Sequence, residues 1–566
     1  MSTTLLEPQV DTPQQTEAVT HRLAASRLRR FATPILLLSI YAALSLWFIA
    51  TQSFTYDEPV HMSAGFDAWE LDVFQPSEHP PLAREWMTIP FAPFRFEPGP
   101  LSRNPQALAW CIRVPILVFG LTLGALVWAM CKRMWSESAA NFALALFAFS
   151  PGLIAHFSLG TTDGAGVLMV FATTFQLVRW RQNPNRAETI ALGIVLGLAL
   201  LSKMYAPPYV VLTLTLVLVL QPDRIAISPK HWNWKPVACM AAVAFVVLWA
   251  GYHFHVSRVS VHNGRVTYPV KYVGDVPVPV RAPHFLEGNY YVPAAEYFAG
   301  VATLFRHSER GHAQSYLLGQ FSRKGKLSYF PTVILLKWPT IVLLLGAAAA
   351  VLLFVRRLKV PSNFWIVLLF PALAIGLGLA SNINIGDRHI LPAYPFLLVL
   401  AAGVWQAVRN RAAEPMMAAQ WKTRAATVLL VIAAGLNAAD ALRYAPDFLS
   451  YFNVLIPPRE AYKYLSDSNL DWGQGLLALR EYQRRHPGET LHIAYFGSVN
   501  PSWYGIQAER MTAKDRPTGT VIVSATRLAG EYQRDPTAYH WVLQYPLKTV
   551  LNHTLYVFEV RQEEKN

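Results

Sequence analysis

The stretch VVLTLTLVLVL, from Val210 to Leu220, carries no charge and no polar side chain except threonine. Such a run suits hydrocarbon better than water. A bilayer core about 30 Å thick is crossed by a helix of roughly 20 apolar residues. Outward from this stretch the same kind of block recurs. We place spans near 32–51, 111–131, 139–157, 164–180, 187–203, 206–220, 236–253, 331–355, 363–381, 389–408 and 424–441. The Pro207-Pro208 step breaks any continuous helix through Lys203 to Pro208. Composition agrees: 53% of residues are hydrophobic and only 15% charged, with a mean hydropathy of +0.26, outside the range of soluble domains. The fold class this predicts is a polytopic α-helical membrane protein with about 11 transmembrane helices.

The net charge of +14 has a topological reading. With the N-terminus cytoplasmic, the inside loops Lys132-Arg133, Arg179 to Arg186, Arg224 to Lys235, Arg356 to Lys359 and Arg409 to Arg424 are all basic. The short loops on the other side carry only Asp163, Asp387 and Arg388, and loop 52–110 is net acidic. That asymmetry follows the positive-inside rule and leaves the tail outside. No basic helix interleaved with aromatics is present, so nucleic acid is excluded as a partner. Cys111, Cys131 and Cys239 lack metal-ligand spacing and read as buried thiols. No small-residue cleavage site follows the first block, which is therefore read as an uncleaved span.

The predicted organisation is a cytoplasmic tail (1–31), a transmembrane domain (32–441) with extracytoplasmic loops 52–110 and 254–330, and an extracytoplasmic C-terminal domain (442–566). Segments 59–71 and 82–92 are candidates for short amphipathic helices on the membrane surface. In the tail, helical spacing over Ala461 to Arg485 precedes β-like runs at Leu491 to Phe496, Val521 to Val523 and Leu555 to Val560, a small α/β domain.

Candidate chemistry lies in the loops. Tyr56-Asp57-Glu58 puts two carboxylates at a membrane exit, either a solvated loop start or a general base and its neighbour. His79-Pro80-Pro81-Leu82 is a stiff turn opening a helix, or it sets His79 and Arg84 over the same cavity as Asp57. In Thr161-Thr162-Asp163-Gly164, Asp163 is a helix cap or a second acid of the cleft. Lys203 snorkels to the interface or meets a lipid-linked phosphate. Arg388, beside His389, opens a span where the charge rule asks for no cation. Its guanidinium suits phosphate, the alternative being an ion pair with Asp387. No Walker loop, dinucleotide fingerprint, HExxH or GxSxG motif occurs, which excludes ATP and soluble nucleotide-sugar chemistry. A divalent cation would need Asp57, Glu58 and Asp163 to converge; no other cofactor is indicated.

The order of these motifs, from the acidic pair through HPPL (79–82), TTDG (161–164) and LSK (201–203) to GDRHILPAYPF (386–396), resembles the bacterial phospholipid carrier-dependent glycosyltransferases. These are GT-C enzymes related to protein O-mannosyltransferases and lipid A aminoarabinose transferases, in the manner of glycosyltransferase family 39. Gly311-His312, Tyr316 to Gly319, Tyr329-Phe330-Pro331, LSYFN (449–453), DSNLDWGQ (467–474) and VSAT (523–526) fit the same group. The resemblance implies a GT-C fold, a sugar donor carried on polyprenyl phosphate, and transfer on the outer face of the cell membrane. It maps the general base to Asp57, with Glu58 as its neighbour and Asp163 as a second acid. Lys203 and Arg388 match positions facing the carrier phosphate. His389 stands where many relatives have Tyr, and His79 where the lipid A branch often has Lys. The acceptor, whether protein, lipid or glycan, is not legible. The competing reading is a transporter or flippase of a lipid-linked glycan, which the lack of related halves disfavours; a silent envelope scaffold is the third.

Overall fold

The computed structural model describes residues 13–74, 78–95, 103–221, 224–225, 228–312, 314–412 and 417–561. Residues 1–12 of the expected N-terminal tail lie outside these; from Pro13 the chain is already helical, in α1 (Pro13–Thr51). Each apolar block expected to span is helical. Among the described residues, Phe31–Thr51, Pro105–Met134, Leu391–Arg411 and Gln420–Leu442 are long and apolar enough to cross a membrane. Shorter apolar helices accompany them at Glu137–Ala148, Pro207–Val219, Trp234–Ala250 and Phe364–Ala380. The protein is therefore a multi-pass helical membrane protein.

Local sequence sets the helix ends. After the short α2 (Glu58–Phe66) and α3 (Leu82–Thr88) comes α4 (Pro105–Met134). The Asn104 side chain caps α4 by accepting from the Gln106 and Ala107 amides, Pro105 takes the first turn, and Lys132 and Arg133 face the C-terminal carbonyls. The expected span 139–157 is divided. Its α5 (Glu137–Ala148) stops before Ser150-Pro151, and Pro151 opens α6 (Pro151–His156). Then follow α7 (Asp163–Gln182), α8 (Arg186–Ser202), α9 (Pro207–Val219) and α10 (Trp234–Ala250). The break between α8 and α9 falls where Pro207-Pro208 predicts it. The expected span 331–355 is bent by 113° between Tyr329–Lys337 and Thr340–Phe354, around Trp338-Pro339, where proline supplies no amide to continue the ladder.

Two regions were less legible. Within 254–330, noted only for its aromatics, glycines and prolines, lies a four-stranded antiparallel sheet made of Val256–His262, Arg265–Val270, Gly274–Arg281 and Gly288–Pro293. A helix, Ala295–Arg310, follows it. In the C-terminal domain the three expected strands appear as Leu491–Ala494, Gly519–Ser524 and Leu555–Val560, joined by Glu509–Arg510 and Leu547–Leu551 in one five-stranded sheet. The helix expected over Ala461 to Arg485 is α-helical only at Leu476–Arg485, with short 3-10 turns at Pro458–Lys463 and Asp467–Asn469 before it. Upstream, Asp467 and Gly473 take φ of +52° and +93°, which no α-helix accommodates, and residues 465–476 form a buried loop. That loop is strapped to the end of α1. The Ser53 amide donates to the Gln474 carbonyl (3.0 Å) and the Tyr56 amide to the Trp472 carbonyl (2.8 Å). The segment right after the first span is thereby fixed by the C-terminal domain.

Candidate active site

Adjacent in sequence, Asp57 and Glu58 have different fates. Glu58 is buried against α4. It accepts from Arg113 Nε (2.8 Å) and Nη2 (2.7 Å), from the Thr55 amide (2.8 Å) and hydroxyl (3.0 Å), and from the Gly160 amide (2.7 Å). Arg113 also donates to the Gln52 and Ser53 carbonyls, both at 2.7 Å. Glu58 is therefore committed to packing on α4. Asp57 is half-buried, at the N-cap of α2 without capping it. Its Oδ2 takes a 2.8 Å hydrogen bond from Arg388 Nη1.

Arg388 sits in a tight 3-10 turn, Asp387–His389. Gly386 before it lets the Ser468 side chain approach: a Cβ there would stand 2.3 Å from Ser468 Oγ. The ion pair between Arg388 and Asp387 does not form. Neighbouring side chains in this turn diverge, and Asp387 turns inward to His156 Nε2 at 3.1 Å. The Arg388 guanidinium lies 4.2 Å from the centroid of the Trp472 ring and 3.8 Å from Asp163 Oδ2. Asp163 Oδ1 in turn receives Lys203 Nζ at 2.6 Å, and Lys203 also donates to Thr162 Oγ1 at 3.0 Å. The result is a chain of alternating charge, Asp57–Arg388–Asp163–Lys203, drawn from the ends of four segments.

The first loop adds a neutral wall. His79 Nδ1 stands 3.1 Å from Thr162 Oγ1. Its ring meets His61 edge-on at 4.7 Å, and Arg84 Nε donates to His61 Nδ1 at 3.3 Å. Burial, then the Arg84 charge, pushes His61 down to about 3. Burial and the cations around it hold His79 well below the usual imidazole range. Both are therefore neutral at physiological pH. Burial raises the Asp57 carboxyl, but the charge of Arg388 and its hydrogen bond outweigh it, leaving Asp57 below its ordinary value and ionised. His389 Nε2 is buried without a hydrogen bond.

Asp57, Asp163, Lys203, Arg388, His79 and Arg84 are thus brought to one site; Glu58 is not. Metal binding does not fit this arrangement. Arg388 stands between Asp57 and Asp163, Glu58 is committed to Arg113, and among the described residues no three His, Cys, Asp or Glu side chains converge. Sequence reading passed over Arg113 and His61. The signal for Arg113 was available, as a cation inside an apolar block. His61 carried none.

Residues 106–249 match the family model described as dolichyl-phosphate-mannose-protein mannosyltransferase. The resemblance to GT-C glycosyltransferases holds over that segment, which contains Arg113, Asp163 and Lys203. No curated protein sequence matches the chain. Among solved structures the chain is similar to ArnT from Cupriavidus metallidurans bound to undecaprenyl phosphate, at 13% identity, covering 94% of this chain and 99% of that one, with a TM-score of 0.45. It is also similar to the Pmt1-Pmt2 protein O-mannosyltransferase complex of S. cerevisiae bound to the sugar donor (12% identity, 74% and 90% covered, TM-score 0.47). A third is the Archaeoglobus fulgidus oligosaccharyltransferase tethered with an acceptor peptide (13% identity, 86% and 64% covered, TM-score 0.44).

Proposed function

We propose that this protein transfers a sugar from a polyprenyl-phosphate carrier to an acceptor hydroxyl at the extracytoplasmic face of the cell membrane. The observation that carries the reading is the Asp57–Arg388–Asp163–Lys203 chain, where a carboxylate and a phosphate-gripping guanidinium share one hydrogen bond. The family-model match over 106–249 supports the same class of chemistry.

A sugar phosphodiester already has a leaving group. The protein must supply a base for the acceptor and cations for the departing phosphate. Arg388 and Lys203 are the cations. A carrier phosphate entering the site competes with Asp57 for Arg388, because a guanidinium binds phosphate oxygens through parallel hydrogen bonds. Losing Arg388 frees Asp57 and raises its basicity, so the base is released when donor is bound. Asp57 then takes the acceptor proton as the acceptor oxygen bonds to the anomeric carbon. The bond from that carbon to the phosphate oxygen breaks, and its electron pair stays on the phosphate. Attack opposite the phosphate inverts the anomeric centre; a product with net retention contradicts this.

Asp163 holds Lys203 and shares Arg388, keeping both cations in place as the phosphate departs. Glu58 fixes the strand-like segment 52–55 on α4 through Arg113, and Asp57 inherits that position. His79 and Arg84, with neutral His61, form the wall facing Asp163 and take the donor side. His389 flanks Arg388 there.

The test is hydrolysis of a panel of polyprenyl-phosphate sugars by purified protein beside Asp57→Asn. One donor consumed by the wild type, and bound but not turned over by the variant, is the expected result. Normal turnover by Asp57→Asn removes it as the base. Folded wild-type protein that neither binds nor consumes any donor overturns the reading and favours lipid transport.

A further inference from the structure

A second polar chain, unused in this mechanism, runs into the site from the opposite side. Glu78 Oε1 lies 2.6 Å from His307 Nδ1, His307 Nε2 lies 3.4 Å from His312 Nδ1, and His312 Nε2 lies 3.1 Å from the Tyr532 hydroxyl. Tyr532 donates to Asp467 Oδ2 at 2.5 Å. The members come from both large loops and the C-terminal domain. Asp467, one of the left-handed non-glycine residues, is buried, and its other oxygen accepts from the Ser468 amide. Strained backbone held by surrounding structure is frequent at functional sites. Ser468 approaches Gly386, the Asp387 amide donates to Asn469 at 3.0 Å, and Trp472 lies under Arg388, so the Asp467 loop wraps the Arg388 turn. Arg388 feels the Asp467 charge together with those of Asp57 and Asp163.

The donors in this chain can all point one way. The hydrogen bond to Glu78 outweighs burial and raises His307, so at pH 6 His307 is protonated and its Nε2–H faces His312. His312 is pushed down to about 4 by burial, then by His307 and Arg388, against the opposing charges of Asp57 and Glu78, and is neutral. It therefore accepts at Nδ1, carries its proton on Nε2 and donates to the Tyr532 oxygen. Tyr532 donates to Asp467; burial raises this carboxyl, the Tyr532 bond, the Arg388 charge and the Ser468 amide oppose that, and the anion acts on Arg388 through its charge without an ion pair. The neighbouring Glu531, taking a hydrogen bond from Ser466, carries the proton of that acidic pair, since burial and Asp467 raise it.

We propose that Glu78, His307, His312 and Tyr532 form a one-way hydrogen-bond chain that keeps Asp467 oriented against Arg388, making all five positioning residues for the grip on the carrier phosphate. The inference rests on the phosphate-binding reading of Arg388. It carries a switch. When His307 loses its proton, His312 must move its own to Nδ1, Tyr532 turns its hydroxyl to His312 Nε2, and Asp467 Oδ2 loses its donor, leaving only the Ser468 amide on Oδ1.

The first measurement needs no substrate: nitrogen-15 NMR of histidine-labelled full-length protein, with His312 assigned from His312→Gln. Protonation of His312 on Nε2 at pH 6, shifting toward Nδ1 as His307 titrates above its ordinary value, is expected; Nδ1 protonation already at pH 6 overturns the proposal. The second is binding of undecaprenyl phosphate at pH 6 and pH 9 by wild type and Tyr532→Phe. The second ionisation of the phosphate is common to both and cancels in their ratio. The wild type is expected to bind about tenfold more tightly than Tyr532→Phe at pH 6 and equally at pH 9, and Glu531→Gln to behave as wild type. A ratio unchanged between the two pH values, with Tyr532→Phe only less thermostable, reduces the chain to a structural one. Wild-type protein that binds no undecaprenyl phosphate counts against the proposed function, while the tautomer result still decides the direction of the chain.

Discussion

Replacing Glu58 by Gln separates the two roles given to neighbouring carboxylates. Both Glu58 and Arg113 side chains have no exposed surface. Glutamine keeps one acceptor oxygen but turns an amide N–H toward a group that also donates. Arg113, still cationic and still buried, loses its counter-charge. Breaking a buried ion pair from one side costs about 3–5 kcal/mol, because an uncompensated charge is left behind. One of the Thr55 and Gly160 amides, which bond to different Glu58 oxygens, loses its acceptor as well, so the upper part of that range is expected. The assay is thermal unfolding in detergent, followed by monodisperse protein remaining on a sizing column. Glu58→Gln should melt several degrees below wild type. The double variant Glu58→Gln/Arg113→Met should recover part of the loss, since both buried charges are then gone. Donor hydrolysis at a temperature where Glu58→Gln stays folded should keep most of the wild-type rate. A Glu58→Gln protein that melts like wild type yet loses turnover as Asp57→Asn does would refute the division and make Glu58 a reacting group.

Three further outcomes follow from the same geometry. Asp57→Asn should lower donor turnover by about 10²–10⁴-fold, the usual contribution of a positioned base, while undecaprenyl phosphate binds at least as tightly as to wild type because Arg388 is no longer shared; weaker binding argues against that competition. Arg388→Lys keeps the charge but loses the forked donors and the stack on Trp472, so its donor KM should rise about tenfold or more, and an unchanged KM moves the phosphate grip elsewhere. His255, hydrogen-bonded to Glu296 and Asp72, is raised to about 9, with the Glu296 bond the main cause and burial opposing it. A raised folded value stabilises fully below about 6.5 and is lost as pH rises through about 9, so melting temperatures from pH 6 to pH 10 should fall more steeply for wild type than for His255→Gln. Parallel curves would show that this histidine contributes no stability through its charge.

Much of the fold was legible because lipid demands long apolar runs and proline punctuates them: the break at Pro207 was read from sequence, whereas those at Pro151 and Pro339 divide runs expected to be single spans. The sheet between Val256 and Pro293 was not, since its strands carry polar residues on both faces and prolines that obscure alternation. In the site, local motifs led to Asp57, Asp163, Lys203 and Arg388. They do not reveal which of two adjacent carboxylates meets a cation 55 residues further on, or that Asp387 and Arg388 point apart. Trp472, inside the DSNLDWGQ run, has the size and apolar ring of a packing anchor. It is buried as one, but what rests on it is the Arg388 guanidinium, a contact made across the fold that spacing does not encode.

The strap between α1 and residues 472–476 bears on how the molecule is made. Ser53 Oγ donates to Gly473, a partner 420 positions away, and the Phe54 amide is held by the Tyr504 hydroxyl. The segment carrying Asp57 leaves the ribosome early, and its partners leave it among the last. Until they have been translated and moved to the same side of the bilayer, the segment is held on α4 by Glu58 and Arg113 but lacks its second tie, the strap from residues 472–476. On the proposed function, a nascent chain should therefore reach full turnover of donors only once residues 472–476 and Tyr504 have met Ser53 and Phe54.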